Sequence, residues 1–219
     1  MDTGVGRDFC TGADLKKFIP ELTGDLPKPD GWDKDDAIHA VLHRFPVYKP
    51  IVAAVNGVCV AGGLEMLGST DIRVAVPEAR FAVMEPKRGL FAGGGSTARL
   101  PRQIPYAFAM ELLLTADMVD AQRALAMGLL NQVVAAGRLM DTAYDYAERI
   151  AANAPLAVFA TKQSAVEGLA LDLDSAYENE TRHSDRVFAT EDASENARRT
   201  ARLRREATAA VAGALTITG

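Results

Sequence analysis

The sequence predicts an α/β fold, with short buried strands alternating with helices and a helical C-terminal region closing the chain. Three observations carry this expectation. Apolar runs of strand length recur at residues 51–55, 58–61 and 71–76, each bounded by turn residues. Glycines stand where such runs give way to helical patterns, at Gly62-Gly63 and at Gly93-Gly94-Gly95. From Arg138 onward the apolar spacing is helical throughout.

The chain opens on turn chemistry, Gly4-Val5-Gly6-Arg7-Asp8, with no expected element before it. That is the pattern of a chain entering in mid-turn, or of a short disordered N-terminus. Phe9 to Thr11 reads as a strand end. Residues 20–35 carry Pro20, Gly24, Pro27, Pro29 and Gly31 among many charges and are expected to form a long mobile loop. A helix is expected over 36–46, with Ala37, Val41, Leu42 and Phe45 on one side, and Pro50 closes the connection. Residues 51–55 form a buried strand capped by the Asn56-Gly57 turn, and 58–61 continue it. A helix over 62–68, a strand over 71–76, the Pro77-Glu78 turn and a short strand at 80–82 follow. After Ser96 the period changes: 96–116 and 121–128 read as helical, with Gly128 as a C-cap, and 131–134 as a last strand. Helices are then expected over 138–152 (Leu139, Ala143, Tyr146 and Ile150 at helical spacing), 156–169, 172–188 and 191–206. Pro155 stands just inside a helix start, after Asn153. The pattern divides the chain into a core over 1–136, a helical region over 137–206 and a loose tail over 207–219.

At 219 residues the chain is long enough for one full core. A net charge of −5 and a pI near 5.3 argue against a nucleic-acid surface. No apolar run approaches the length of a membrane span. Met1-Asp2-Thr3-Gly4 is acidic and leads into no apolar stretch, so no signal peptide is expected. Cys10 and Cys59 are too few for a disulfide scaffold and read as reduced residues of a cytoplasmic protein. His39, His43 and His183 are not spaced with them as zinc ligands, and no metal is expected.

Two carboxylates stand beside glycine-rich backbone. In Val60-Ala61-Gly62-Gly63-Leu64-Glu65, a helix opening at the glycine pair leaves amide N–H groups without partners at the positive end of the dipole. Such a terminus suits an oxyanion, and Glu65 sits in the first turn; the plainer reading is that Glu65 complements the dipole and the glycines pack. In Met84-Glu85-Pro86, the proline disfavours helical dihedrals at Glu85, so extended backbone is expected there. Phe81, Val83, Met84 and Leu90 are placed to desolvate Glu85 and raise its pKa, as a proton donor requires; the plainer reading pairs Glu85 with Lys87 or Arg88. Gly93-Gly94-Gly95-Ser96-Thr97 has the form of a phosphate cradle but lacks both P-loop and dinucleotide spacing. A close-packed turn capped by Ser96 or Thr97 is the expectation. No Gly-x-Ser-x-Gly element supports a serine nucleophile.

Taken in order, these pieces resemble the crotonase family, the enoyl-CoA hydratases and isomerases. The matching stretches are Phe9-Cys10-Thr11-Gly12-Ala13-Asp14-Leu15, Lys49-Pro50 through Asn56-Gly57, Ala61-Gly62-Gly63-Leu64-Glu65, Asp71-Ile72-Arg73, Phe81 through Glu85, Gly94 through Pro101, Leu112 through Leu130, and Ala152 through Lys162. The resemblance runs over roughly residues 5–205. It implies a spiral of ββα turns, followed by helices that assemble trimers, often paired into hexamers. It implies an acyl-CoA thioester as substrate, with coenzyme A part of the substrate and no separate cofactor.

Carried over residue by residue, the resemblance makes the amides of Ala13 and Gly62 the oxyanion hole and Glu65 and Glu85 the two hydratase carboxylates. Gly12, Asp14, Leu15, Gly63, Pro86 and Leu90 fall at substrate-contacting positions. The presence of both glutamates favours hydration of a 2-enoyl-CoA over double-bond isomerisation, dehydration of a hydroxyacyl-CoA, or a truncated, non-catalytic subunit that only binds acyl-CoA. The family also has a strand–strand–helix segment that would precede residue 1, part of which touches the CoA nucleotide, so the core is expected to be N-terminally short. Near the C-terminus, Thr200, Arg202, Arg204 and Arg205 stand where the family has an aromatic residue and a lysine that reach a neighbour's CoA. The Pro86-Lys87-Arg88-Gly89-Leu90-Phe91 stretch resembles members acting on bulkier acyl groups, steroid side chains included.

Overall fold

In a computed structural model, residues 1–31, 33 and 38–190 are described. The chain falls into two compact units, Met1–Ala152 and Asn153–Gly219.

The first unit is built from repeated strand–strand–helix turns, each contributing one strand to each of two small sheets. Strands β1 (Asp2–Thr3), β2 (Val52–Val55), β4 (Ile72–Ala75) and β7 (Gln132–Val133) form one sheet, parallel throughout, in the order β1-β2-β4-β7. Strands β3 (Val58–Val60), β5 (Arg80–Ala82) and β6 (Val119–Asp120) form the other, with β3 and β5 parallel and β6 antiparallel to β5. Between the strands lie helices α1 (Phe18–Thr23), α2 (Gly62–Leu67), α3 (Ser96–Gln103), α4 (Tyr106–Thr115) and α5 (Ala121–Ala126), and α6 (Leu139–Ala151) follows β7.

Parallel strands covered on both faces need apolar side chains on both, which is why β2 reads Val52-Ala53-Ala54-Val55 without alternation, all four buried. Leu64 and Leu67 from α2, Phe81 from β5, Leu100, Leu112 and Met127 fill the core around them. Arg73 is buried in β4, and its guanidinium donates to the Thr70 and Leu129 carbonyls, to Thr70 Oγ1 and to Gln103 Oε1. Gly128, at φ 81, ends α5: its N–H bonds the Leu125 carbonyl and the Leu129 N–H bonds the Ala124 carbonyl, the paired closure of a left-handed helix cap.

Several expectations need correction. A strand stands before the Gly4–Asp8 turn, where no element was expected. β1 pairs with β2, Thr3 Oγ1 donates to the Ala54 carbonyl at 2.8 Å, and Asn56 holds the turn behind it through Gly4 and Gly6. Helix α1 stands at the head of the expected 20–35 loop. The single helix expected over 96–116 is two, because Ile104, just before Pro105, is extended. Of the helix expected over 36–46, residues 38–40 are helical and Leu42 turns at φ 56; Phe45 is exposed rather than packed. The 136/137 division falls inside the first unit, because α6 packs on β2 and β4.

In the second unit, α7 (Pro155–Gly168) and α8 (Leu173–Phe188) pack against each other. Between them lies a polar layer in which His183 Nε2 meets Glu167 Oε2 at 2.9 Å. The helix expected over 191–206, with its Thr200 and arginines, and the 207–219 tail lie outside the described residues, as do residues 36 and 37.

Candidate active site

The site forms where β3 gives way to α2. Ala61 takes φ 52 and ψ −127, a conformation costly for any residue with a Cβ, and so turns strand into helix within one residue. Its carbonyl accepts from the Leu64 and Glu65 N–H groups. The Gly62 N–H, first in the helix, has no partner among the described residues, and neither does the N–H of Ala13. Gly12, at φ 89, lies against this helix start: a Cβ there would stand 2.8 Å from Ala61 Cβ and 3.3 Å from Gly62 N. The fold thus brings the Gly12-Ala13 turn and the opening of α2 together.

Glu65 is buried in α2. Its Oε1 accepts from the Gly94 N–H at 2.6 Å, and the Ser96 amide adds to the field that favours the carboxylate. The glycine run before α3 therefore does cradle an anion, but the anion is the protein's own carboxylate. The cap of α3 is Gly95, at φ 124, and neither Ser96 nor Thr97. Burial pushes the Glu65 carboxyl above its ordinary range, while the Gly94 and Ser96 amides, Arg99 and His43 pull it back down.

Glu85 follows β5. Contrary to expectation its backbone is helical, at φ −55 and ψ −46, and it caps a 3-10 turn over Pro86–Arg88. The Arg88 and Leu90 N–H groups both bond its carbonyl, and these two bonds outweigh the preference Pro86 imposes. Lys87 binds Asp117 at 2.6 Å, and among the described residues Glu85 makes no ion pair with Lys87 or Arg88, the plainer alternative. Glu85 Oε2 is buried without a hydrogen-bond partner among the described residues. Burial raises its pKa, and the like charge of Glu65 raises it further. One carboxyl is thus held by an amide and the other is not, and the charge of the first reaches the second.

Asp14 turns the chain into α1, its Oδ1 accepting from Lys16 N–H and its carbonyl from Phe18 N–H, and Leu15 is exposed. Gly63 is buried where a Cβ would overlap Cys10, so close packing accounts for it. Pro86 is exposed and Leu90 half-buried. Sequence reasoning did not single out three further residues at the site. Val41 lies over Gly62 and Gly94, where Cβ atoms would meet its methyls. His43 has a buried Nδ1 without a partner among the described residues. Arg99 donates to carbonyls around Glu65. The first two lie where the apolar spacing suggested a helix that ends by Leu42.

Comparison with known proteins places this arrangement. The sequence profile described as enoyl-CoA hydratase/isomerase matches residues 3–203. The chain is 42% identical over 196 residues to the enoyl-CoA hydratase EchA19 of Mycobacterium tuberculosis, covering 90% of this chain and 73% of that protein. It is 43% identical over 175 residues to the (E)-benzylidenesuccinyl-CoA hydratase of Thauera aromatica, covering 78% and 66%. Among solved structures it is similar to the enoyl-CoA hydratase EchA1 of Mycobacterium marinum, with a TM-score of 0.78 and 40% identity over 91% of this chain and 76% of that one. The fold is that of the crotonases, and the chain belongs to the enoyl-CoA hydratase/isomerase family.

Proposed function

We propose that the protein is an enoyl-CoA hydratase, a hydro-lyase that adds water across the C2=C3 bond of a 2-enoyl-CoA. The observation that carries this reading is a buried Glu65, held by the Gly94 N–H in the helix that opens on the unpartnered Gly62 amide, together with the buried, unpartnered Glu85 Oε2, whose carboxyl feels the Glu65 charge. The names of the relatives support it.

In this reading the thioester oxygen lies between the amides of Ala13 and Gly62. Attack of water at C3 moves charge onto that oxygen as an enolate, and each preorganised donor stabilises it by about 3 kcal/mol. Glu65, held by the Gly94 amide, orients the water and takes its proton. Glu85, whose Oε2 has no partner and whose burial favours the protonated form, delivers a proton to C2. Coenzyme A enters as part of the substrate, and the residues named supply the chemistry without a further cofactor. The 3-10 turn after Glu85 in place of an apolar run favours an acyl group bulkier than crotonyl, steroid side chains included. Exposed apolar residues on the second unit's helices, Leu156, Phe159, Leu173 and Tyr177 among them, suit the homotrimer or hexamer that the family resemblance implies. No helix among the described residues is long and apolar enough to cross a membrane. The free Cys10 and Cys59 fit a cytoplasmic location.

The test is to incubate the protein with short and bulky 2-enoyl-CoA thioesters in 18O-labelled water. A 3-hydroxyacyl-CoA carrying the label supports hydration. Recovery of a positional isomer without label would replace hydration with isomerisation.

A further inference from the structure

Arg99 lies in the first turn of α3, half-buried, and directs its guanidinium at carbonyls rather than at a carboxylate. Nη1 donates to Glu65 O at 3.0 Å, Val41 O at 3.3 Å and Gly94 O at 3.5 Å, and Nη2 donates to Leu42 O. These carbonyls belong to three segments that meet at the site. One is the helix bearing Glu65, one is the loop whose Gly94 N–H binds the Glu65 carboxylate, and one is the 41–43 strap lying over Gly62 and Gly94. The strap is tied a second time by Ser69 Oγ, which donates to Val41 O at 2.9 Å. Among the described residues Arg99 forms no salt bridge within 4.0 Å, so its charge is left to act on the nearby Glu65. A guanidinium presents donors in a fixed planar fork, which suits one side chain to several carbonyls at once.

We propose that Arg99 is a positioning residue for the hydration reaction, clamping these three segments so that Glu65 stays on the Gly94 amide and keeps its charge. The inference rests on the hydratase reading for its link to turnover, but not for its claim about Glu65. The charged and titratable groups facing Glu65 are Arg99 from α3, His43 from the strap and Glu85 from the segment after β5; the first two favour its ionised form, and Glu85 opposes it. Lysine at position 99 would keep the charge and lose the fork. Glutamine would lose both.

The experiment is a pH titration of the Glu65 carboxyl by infrared difference spectroscopy. It compares the full chain with Arg99→Gln and Arg99→Lys, and Glu65→Gln assigns the band. The pH dependence of kcat with a 2-enoyl-CoA is recorded alongside. The inference predicts that Arg99→Gln moves the Glu65 midpoint up by about one unit, a tenfold change in proton affinity, with the acid limb of kcat following. Arg99→Lys keeps the midpoint near that of the native chain, lowers kcat and leaves KM within about twofold. A Glu65 midpoint unmoved in Arg99→Gln, with only a lower melting temperature, overturns the inference. If the native chain turns nothing over but the midpoint still moves, the hydratase reading falls and the clamp stands. If Arg99→Gln does not fold, Arg99→Lys decides: kcat and KM both at native values would overturn the clamp.

Discussion

Gly93 and Gly94 are adjacent, identical in chemistry and opposite in what surrounds them, which makes them a sharp test of the Glu65 environment. Neither has a positive φ, so alanine strains the backbone at neither position. A Cβ at Gly93 meets nothing closer than Phe91, at 4.0 Å. A Cβ at Gly94 would overlap Glu65 Oε2, stand 2.7 Å from Glu65 Cδ and 2.8 Å from Val41 Cγ2. The carboxylate cannot stay where it is, and its 2.6 Å bond from Gly94 N–H is lost or distorted. A hydrogen bond to a charged group contributes about 1.5–3 kcal/mol. If that bond positions the base in the transition state, Gly94→Ala lowers kcat by roughly 10- to 150-fold, while Gly93→Ala leaves it within about twofold. The assay is steady-state hydration of a 2-enoyl-CoA, followed by loss of the conjugated thioester absorbance, with a melting curve for each variant. Equal rates for the two variants would refute the reasoning, because the placement of Glu65 would then not matter to the chemistry.

Other consequences follow from the same geometry. Burial holds the Glu85 carboxyl above its ordinary 4.5, so the folded state binds a proton that the unfolded chain releases. The stability this contributes is complete below about pH 4.5 and is lost as pH rises through the raised folded midpoint. Glu85→Gln should therefore melt a few degrees above the native chain at pH 8, with the gap closing toward pH 4. Arg73→Ala removes a buried guanidinium that satisfies the Thr70 and Leu129 carbonyls, and should cost about 3 kcal/mol or more in urea unfolding. Gly128→Ala meets no neighbour but keeps φ 81, so it should cost about 1 kcal/mol and leave hydration unchanged.

The sequence revealed the frame of the site better than its detail. The strand–turn–helix at 58–67 was legible because apolar runs and a glycine pair report directly on burial and backbone freedom. The proline rule holds at Ile104-Pro105, where the sequence reading ran a helix straight through it, and fails at Glu85-Pro86, where two N–H groups converge on one carbonyl. Strand β6 was missed because two residues, Val119 and Asp120, are too short to show a period; pairing with β5 defines it. The Gly93–Gly95 run was read as packing or a weak phosphate cradle. Its actual ligand, Glu65, lies 29 residues away from Gly94, a separation no local pattern reports. Arg99 was visible only as a letter in a matching motif, since the carbonyls it binds are set by tertiary folding. The 41–43 strap, and with it His43, was hidden by a helical spacing over 36–46 that the fold breaks at Leu42.

The central claim is that Glu65 and Glu85 together add water to an enoyl thioester. The most direct measurement is the rate of absorbance loss from a 2-enoyl-CoA with the native chain, Glu65→Gln and Glu85→Gln, each shown to be folded. The account predicts turnover by the native chain and a fall of at least about 100-fold in each variant. A folded native chain with no turnover, or a Glu85→Gln variant as fast as the native chain, would contradict it.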